Sequence, residues 1–368
     1  MKTIAITSNT SWYLYNFRKN TILALLKEGY RVIAIAPEDD FSEKLRALGC
    51  AFVHVSMDQG GTNPFKDFRT IVSFISMYAK HRPDVILNFT PKNNIYSTLA
   101  SSLFSIPCIN NIAGLGFLFI NEGISSKIAR WLYKLSQVRV KKIFFQNEDD
   151  RTLFIEHNLA PVCLTDRLPG SGVDLLRFNV LPKSNDGVVR FLLIARMLYE
   201  KGIREYVAAA KIIKNKYPNS EFLLLGFLDV NNPSAVTTEV MEGWVAEGSV
   251  NYIGVSDCVE AEIAKVDCVV LPSFYREGVP KTLLEAGAMG KPIITTNSVG
   301  CRDVVDDGVN GFLCKVRDEN DLAEKLEKIV LMTHQERIAM GMKSREKIER
   351  EFDERIVIQK YMDAIKAC

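Results

Sequence analysis

Two kinds of apolar segment alternate along the chain. One is a short unbroken run rich in β-branched side chains; the other is a longer stretch whose apolar positions recur every three or four residues. The short runs read as strands buried on both faces of a parallel sheet, and the longer ones as amphipathic helices packed on it. Strands are predicted at residues 3–7, 31–36, 51–55, 85–89, 107–112, 142–146 and 163–165. A second set follows at 189–195, 221–226, 250–253, 267–271, 292–295 and 311–314. Alternation of this kind over the whole length predicts an α/β architecture with doubly wound sheets. At 368 residues the chain exceeds one ordinary core, so two Rossmann-like halves are expected. The polar, Pro- and Gly-containing stretch 178–188 (FNVLPKSNDGV) is the predicted linker between domains at 1–177 and 189–350.

The segment 273–305, SFYREGVPKTLLEAGAMGKPIITTNSVGCRDVV, carries the most chemistry. It follows the buried run VDCVVLP at 266–272, and Gly278, Val279 and Pro280 lead into helix formers at 283–289. The reading is strand, short acidic loop, helix N-terminus. Such a terminus carries unpaired amides and about half a positive charge, which suits phosphate. Glu277 lies on the loop side, where a carboxylate accepts hydrogen bonds from hydroxyls. Glu285 falls about 7–8 Å further along the helix axis at 1.5 Å per residue. A ligand with hydroxyls at both ends and phosphate between them meets both acids, and a nucleotide sugar has that layout. A second element agrees. The run VRFLLIA at 189–195 precedes RMLYEKG and an amphipathic helix at 203–216, so Arg196 and Lys201 leave the carboxyl end of a strand together. Arg offers a planar fork to phosphate oxygens and Lys a mobile point charge. Seen alone, the pair also fits a solvated basic turn.

Glu277 and Glu285, with the strand before them, Gly-Val-Pro after and GKPIITTNSVGCRDVV at 290–305, resemble the E-x7-E element of the retaining glycosyltransferases of family 4. That family has the GT-B fold: two Rossmann-like, doubly wound parallel-sheet domains facing a central cleft. The resemblance implies that Glu277 binds hydroxyls of the transferred sugar and Glu285 those of the ribose. It implies that Arg196 and Lys201 clamp the diphosphate and stabilise it as it departs, and that Gly278, Val279, Lys281, Thr282 and Leu283 line the UDP-sugar. It further implies that residues 351–368 form a terminal helix packing back on the first domain. The expected reaction moves a hexose or N-acetylhexosamine, with retention, to a polyprenyl-diphosphate-linked saccharide in bacterial surface glycan synthesis. A UDP-sugar 2-epimerase of the same fold and a non-catalytic scaffold are the alternatives.

Composition narrows the field. Eight cysteines form no C-x-x-C pair, and Cys108 and Cys268 sit inside apolar runs, as expected of free thiols in a reducing compartment. There is no G-x-G-x-x-G after the first strand and no Walker A sequence. His54, His81, His157 and His334 are isolated, and no D-x-D occurs. No metal and no separate cofactor are therefore expected. A net charge of only +2 argues against nucleic acid.

The amino-terminal half is expected to hold the acceptor. After the first strand comes SNTSWYLYNFR at 8–18, where many family members carry Gly-Gly. Thr10, Ser11, Tyr13 and Arg18 are the candidates there, although aromatic packing at a helix start fits equally. NNIAGLG at 110–116 has Ala113 where many relatives have His. It resembles a subgroup acting on lipid-linked oligosaccharide precursors, and Gly114 is a further acceptor-side candidate. Between Gly123 and Asn147 there is no acid but six bases: Lys127, Arg130, Lys134, Arg139, Lys141 and Lys142. Ile124, Ile128, Trp131, Leu132 and Leu135 share one helical face beside Lys127, Arg130 and Lys134. A basic amphipathic helix with a Trp suits an anionic membrane surface; packing on the sheet is the plainer reading. The expected location is the cytoplasmic face of the plasma membrane, held peripherally.

Overall fold

A computed structural model describes residues 1–58, 63–115 and 123–368. They fold as two domains, residues 1–171 with 355–368, and residues 172–354. The first domain contains β1 (Thr3–Thr7), β2 (Arg31–Ala36), β3 (Ala51–His54), β4 (Val85–Phe89), β5 (Cys108–Ile112), β6 (Lys142–Phe145) and β7 (Thr165–Arg167), in the order β3-β2-β1-β4-β5-β6-β7. The second contains β8 (Val189–Ile194), β9 (Ser220–Leu225), β10 (Asn251–Tyr252), β11 (Cys268–Leu271), β12 (Ile293–Thr296) and β13 (Gly311–Cys314), in the order β10-β9-β8-β11-β12-β13. The strand pairs in both sheets are parallel. Helices cover both faces, which is why strands such as Val85–Phe89 and Cys268–Leu271 are buried at every position.

Most predicted strands differ from the observed ones by a residue or two at their ends. The seventh shifts by two residues at both ends. Residues 162–164 form a 3-10 turn after Pro161, closed by a hydrogen bond from the Thr165 hydroxyl to the Val162 carbonyl (2.8 Å), and β7 begins only at Thr165.

Both sheets reverse their strand order once, between β1 and β4 in the first and between β8 and β11 in the second. At such a reversal the helices that follow the two central strands leave to opposite faces, and a crevice opens at the carboxyl ends. The loops after β8 and β11 are those that carry Arg196, Lys201 and Glu277.

The domain boundary lies earlier than the predicted linker. Residues 178–188 belong to the second domain: Phe178 is buried in its core and Lys183 pairs with Asp267 at 3.0 Å. The chain crosses at residues 171–172 and returns at 354–355. The Val173 amide donates to the Phe352 carbonyl (3.0 Å) and the Glu354 amide to the Val173 carbonyl (3.2 Å), so the two crossings run paired. The final helix, Glu354–Lys366, buries Val357, Tyr361, Met362 and Ile365 in the first domain's core. At about 1.5–3 kcal/mol for each large apolar side chain, that burial holds the tail firmly.

Candidate active site

Two loops meet at the second reversal point. After β8 the chain passes Arg196, which is exposed, then the turn Tyr199–Lys201 and the helix Ile203–Lys216. After β11 it passes residues 272–280 and enters the helix Lys281–Ala288. The Glu200 carbonyl joins the loops, accepting from the Phe274 amide (3.0 Å), the Tyr275 amide (3.2 Å) and the Ser273 hydroxyl (3.2 Å). Gly202 has φ +77°, and a Cβ there would lie 2.1 Å from the Pro272 carbonyl oxygen, so no larger residue fits.

This stitching brings Lys201 against Glu277. The ammonium contacts carboxylate oxygen Oε1, and the Ser273 hydroxyl donates to the same oxygen at 3.0 Å. The side chains of Lys201 and Glu277 are 15% and 13% exposed. Tyr275 lies beside them with the Lys201 ammonium 5.3 Å from its ring centre. Burial raises the Tyr275 phenol, the nearby Glu277 and Glu200 charges add to that, and Arg196 opposes it. Arg196, Lys201 and Glu277 therefore all act electrostatically at one phenol.

The 277–279 loop is propped from below. Gly300 has φ +79°, and a Cβ there would lie 1.8 Å from the Gly278 carbonyl oxygen. The Ser298 hydroxyl donates to the Ser273 carbonyl (3.1 Å), as does the Thr296 hydroxyl.

The helix Lys281–Ala288 starts after Pro280 with no side-chain cap. Val279 and Leu283 are buried in the core, so what they offer a ligand is main chain; Thr282 is half-buried. Glu285 is the fifth helical residue and is buried. Burial raises its carboxyl above the ordinary value, and Lys281, 3.8 Å away, and Arg177 hold it back. Arg177 is a residue that motif reading passes over. Its guanidinium forks onto Glu260 (2.9 and 3.3 Å) and reaches the Asp257 carbonyl at 3.5 Å. Nothing in the local sequence links it to Glu285, 108 positions away; only the fold does.

In the first domain, Thr10 caps the helix Ser11–Lys27 by accepting from the Tyr13 amide at 3.0 Å. Ser11 is buried, donating to the Pro37 carbonyl (2.8 Å) and lying 3.0 Å from the Ser42 hydroxyl. Both hydroxyls thus serve the helix start. Tyr13 stacks on Phe17 with ring centres 4.9 Å apart, and its hydroxyl accepts from Arg18 at 3.0 Å. Gly114 follows β5, and its neighbour Leu115 donates its amide to Asp150 at 3.2 Å. Gly116 lies outside the described residues.

The basic helix, Ile124–Gln137, splits the predicted apolar face: Leu132 packs against the first domain's core and Leu135 is half-buried, while the other three are exposed. Ser126, Tyr133, Ser136 and Gln137 are buried, whereas Ile124, Ile128 and Trp131 are 79, 52 and 62% exposed. Gln137 is drawn inward by Asn110, which donates to it at 2.7 Å, and by the Asn94 carbonyl at 3.0 Å. Of the bases, Lys127 and Lys134 are exposed and Arg130 is half-exposed.

Two doubly wound parallel domains, with a basic and an acidic loop at the second reversal point, are the architecture of the GT-B fold. Sequence models of two families match the chain: Glycosyl transferase 4-like over residues 3–147, and Glycosyl transferases group 1 over residues 189–331. The chain belongs to these group 1, family-4-like glycosyltransferases. It is 29% identical over 382 residues to the N,N'-diacetylbacillosaminyl-diphospho-undecaprenol alpha-1,3-N-acetylgalactosaminyltransferase of Campylobacter jejuni, covering 98% of this chain and 97% of that one. It is 25% identical to the UDP-Gal:alpha-D-GlcNAc-diphosphoundecaprenol alpha-1,3-galactosyltransferase of Escherichia coli, covering 72% and 70%. Among solved structures, Anabaena Alr3699/HepE with UDP and glucose superposes over the full length of both chains with a TM-score of 0.80 at 15% identity.

Proposed function

We propose that this glycosyltransferase moves a hexose or N-acetylhexosamine from a UDP-sugar to a saccharide carried on a polyprenyl diphosphate, with retention of configuration. The observation that carries the reading is the contact of Lys201 with Glu277 beside an uncapped helix whose fifth residue is the buried Glu285. In the proposed complex, Lys201 and Arg196 take the diphosphate, Glu277 accepts from sugar hydroxyls, and Glu285 accepts from the ribose. Charge that develops on the departing UDP meets fixed donors, an electrostatic role that needs no metal ion. The Campylobacter and Escherichia coli relatives, whose names specify diphosphoundecaprenol-linked acceptors, support the acceptor class.

We place the acceptor at a membrane surface, reached peripherally. Among the described residues no helix is long and apolar enough to cross a membrane. The exposed Ile124–Ile128–Trp131 stripe flanked by Lys127, Arg130 and Lys134 fits an anionic lipid interface. The helices Pro64–His81 and Ile124–Gln137 both pack against residues 93–102, and the former exposes Phe65 (87%) and Phe68 (67%). Incubation with UDP-sugars and a polyprenyl-diphosphate saccharide, followed by UDP release and product analysis, tests the reading. Isomerisation of the UDP-sugar without acceptor would replace it by epimerisation, and no turnover with any UDP-sugar would make the chain a scaffold.

A further inference from the structure

The first domain has its own reversal point, between β1 and β4, and Arg18 sits beside it. The helix that carries Arg18 follows β1, and β4 ends at Phe89. Arg18 is 1% exposed, its guanidinium 4.3 Å above the Phe89 ring centre, with the Tyr13 and Tyr361 rings at 5.6 and 5.9 Å. Its hydrogen bonds run only from Nη2, to the Tyr13 hydroxyl (3.0 Å) and the Ser171 hydroxyl (3.4 Å). Nε and Nη1 are buried with no acceptor, and no carboxylate pairs with Arg18 among the described residues. Aromatic faces recover part of the lost hydration, but a buried cation met only by neutral groups is costly.

Other unmet groups lie at the same end of the sheet. Thr90, directly after β4, has φ +73°, a strained conformation for a β-branched residue. Asn93 Nδ2, Asn94 Oδ1 and Asn111 Oδ1 are buried without partners among the described residues. Asn111 is the register partner of Phe89, and its amide donates to the hydroxyl of Tyr361, one of the rings beside Arg18. Unpaired donors, unpaired acceptors and backbone strain thus share the carboxyl ends of β4 and β5, where a doubly wound sheet binds ligands.

We infer that Arg18 anchors a phosphate-binding subsite in the first domain, its unpaired Nε or Nη1 donating to a phosphate oxygen of a substrate. The inference rests on the proposed transfer, in which donor and acceptor each carry a diphosphate, and it names a contact that the second domain's clamp does not supply. The cost of burying Arg18 is then offset only in the complex. Tyr13 and Ser171 are half-exposed, so one layer of side chains separates the guanidinium from solvent.

The test compares wild type with Arg18→Met and Arg18→Lys. It uses a short-chain polyprenyl-diphosphate saccharide, the same saccharide on an uncharged alkyl linker, and UDP. Arg18→Met, which removes an uncompensated buried charge, is expected to melt no lower than wild type without ligand. Its KM for the diphosphate acceptor should rise by about tenfold or more, while the alkyl-linked acceptor changes little, as expected when a charge-assisted hydrogen bond is lost. That pattern assigns the phosphate to the acceptor; a comparable loss of UDP affinity instead assigns it to the donor, and either upholds the subsite. If wild type transfers to the diphosphate acceptor and Arg18→Met keeps both KM and UDP affinity within about twofold, Arg18 is packing and the inference is overturned. Should Arg18→Met fail to fold, Arg18→Lys, which keeps the charge and loses the guanidinium's fixed donors, must show a raised KM or weakened UDP binding, and unchanged values overturn the inference equally. A wild type that transfers to neither acceptor would refute the transfer itself.

Discussion

Lys201 and Glu277, 76 positions apart, hold each other across the second domain's reversal point, with Ser273 bonded to the same carboxylate oxygen. Each is assigned a different end of the donor, so in the ligand-free protein the two ends of the site are tied together. The pair is mostly buried, so breaking it without replacement partners is costly. In the proposed complex the diphosphate replaces Glu277 as the partner of Lys201, and Glu277 keeps the Ser273 hydroxyl while sugar hydroxyls take the place of the ammonium. The exchange gives a UDP-sugar an advantage over UDP, because only the sugar supplies new partners for Glu277.

Removing either cation tests the clamp. Arg196→Ala and Lys201→Ala should stay folded and lose turnover by about a hundredfold or more. Activity of the wild type should persist in EDTA. A soluble Lys201→Ala protein with normal turnover would exclude Lys201 from the mechanism, and complete loss in EDTA restored by Mg²⁺ or Mn²⁺ would replace the clamp by a metal.

The two glutamates should separate by ligand. Glu277→Ala is expected to weaken the intact UDP-sugar while sparing UDP, whereas Glu285→Ala weakens UDP itself. Calorimetry with both ligands on both variants decides the matter, and equal loss of UDP affinity in the two would contradict distinct roles.

Acidification should act through Glu285. Its carboxyl is raised above 4.5, chiefly by burial. A carboxyl raised in the folded protein favours folding at low pH, and that contribution is lost as pH rises through the folded value. Glu285→Gln should accordingly melt higher than wild type near neutrality, with the difference closing toward acid. UDP binding runs the other way, because ribose hydroxyls need the carboxylate. Wild-type affinity should begin to fall above the ordinary glutamate range, and the Gln variant should lack that component. Identical pH profiles for the two proteins would dissociate Glu285 from the ribose.

How much of this was legible in the sequence depends on the kind of information. β11 was legible because a strand buried on both faces must be apolar throughout, β8 because only Arg190 interrupts its apolar run, and the Glu277–Glu285 spacing because loop and helix are local. Arg177 was not, since its relation to Glu285 exists only after β8, β11 and the helix between Pro280 and Met289 are assembled. The basic helix shows the same limit. Periodicity placed Ile124, Ile128 and Trp131 on one face, but not what that face meets. The answer came from the main-chain carbonyl of Asn94 and the side-chain amide of Asn110, both buried, which pair with Gln137 and so turn Ile124, Ile128 and Trp131 outward.

Gly300→Ala should damage the site from outside it. The added methyl would meet the Gly278 carbonyl, main chain that cannot rotate aside, at a positive φ that already disfavours Ala. A loss on the order of 2–4 kcal/mol is expected, together with weakened UDP-sugar binding in whatever remains folded. Denaturant midpoints and calorimetry measure the two effects, and a variant with wild-type values of both would mean that the 277–279 loop does not rest on Gly300.

The lipid-facing assignment of the helix Ile124–Gln137 makes a prediction with two separable parts. Changing Lys127, Arg130 and Lys134 together to Gln leaves Ile124, Ile128 and Trp131 in place, so only the electrostatic attraction is removed. At about 1 kcal/mol per base near an anionic surface, liposome affinity should fall on the order of a hundredfold. Changing Trp131 to Ser instead removes apolar insertion, and its effect should persist at high salt, where exposed charges more than about 8 Å apart are already screened at physiological strength. Trp131 is largely exposed and makes no contribution to the buried core, so neither variant should lose stability. A soluble short-chain acceptor should be glycosylated by both at near-normal rates, because the donor residues lie in the other domain. Sedimentation with anionic liposomes at low and high salt reads both parts. If wild type and the triple variant sediment alike at low salt, the bases are merely solvated; if Trp131→Ser also binds normally, the exposed stripe meets something other than lipid.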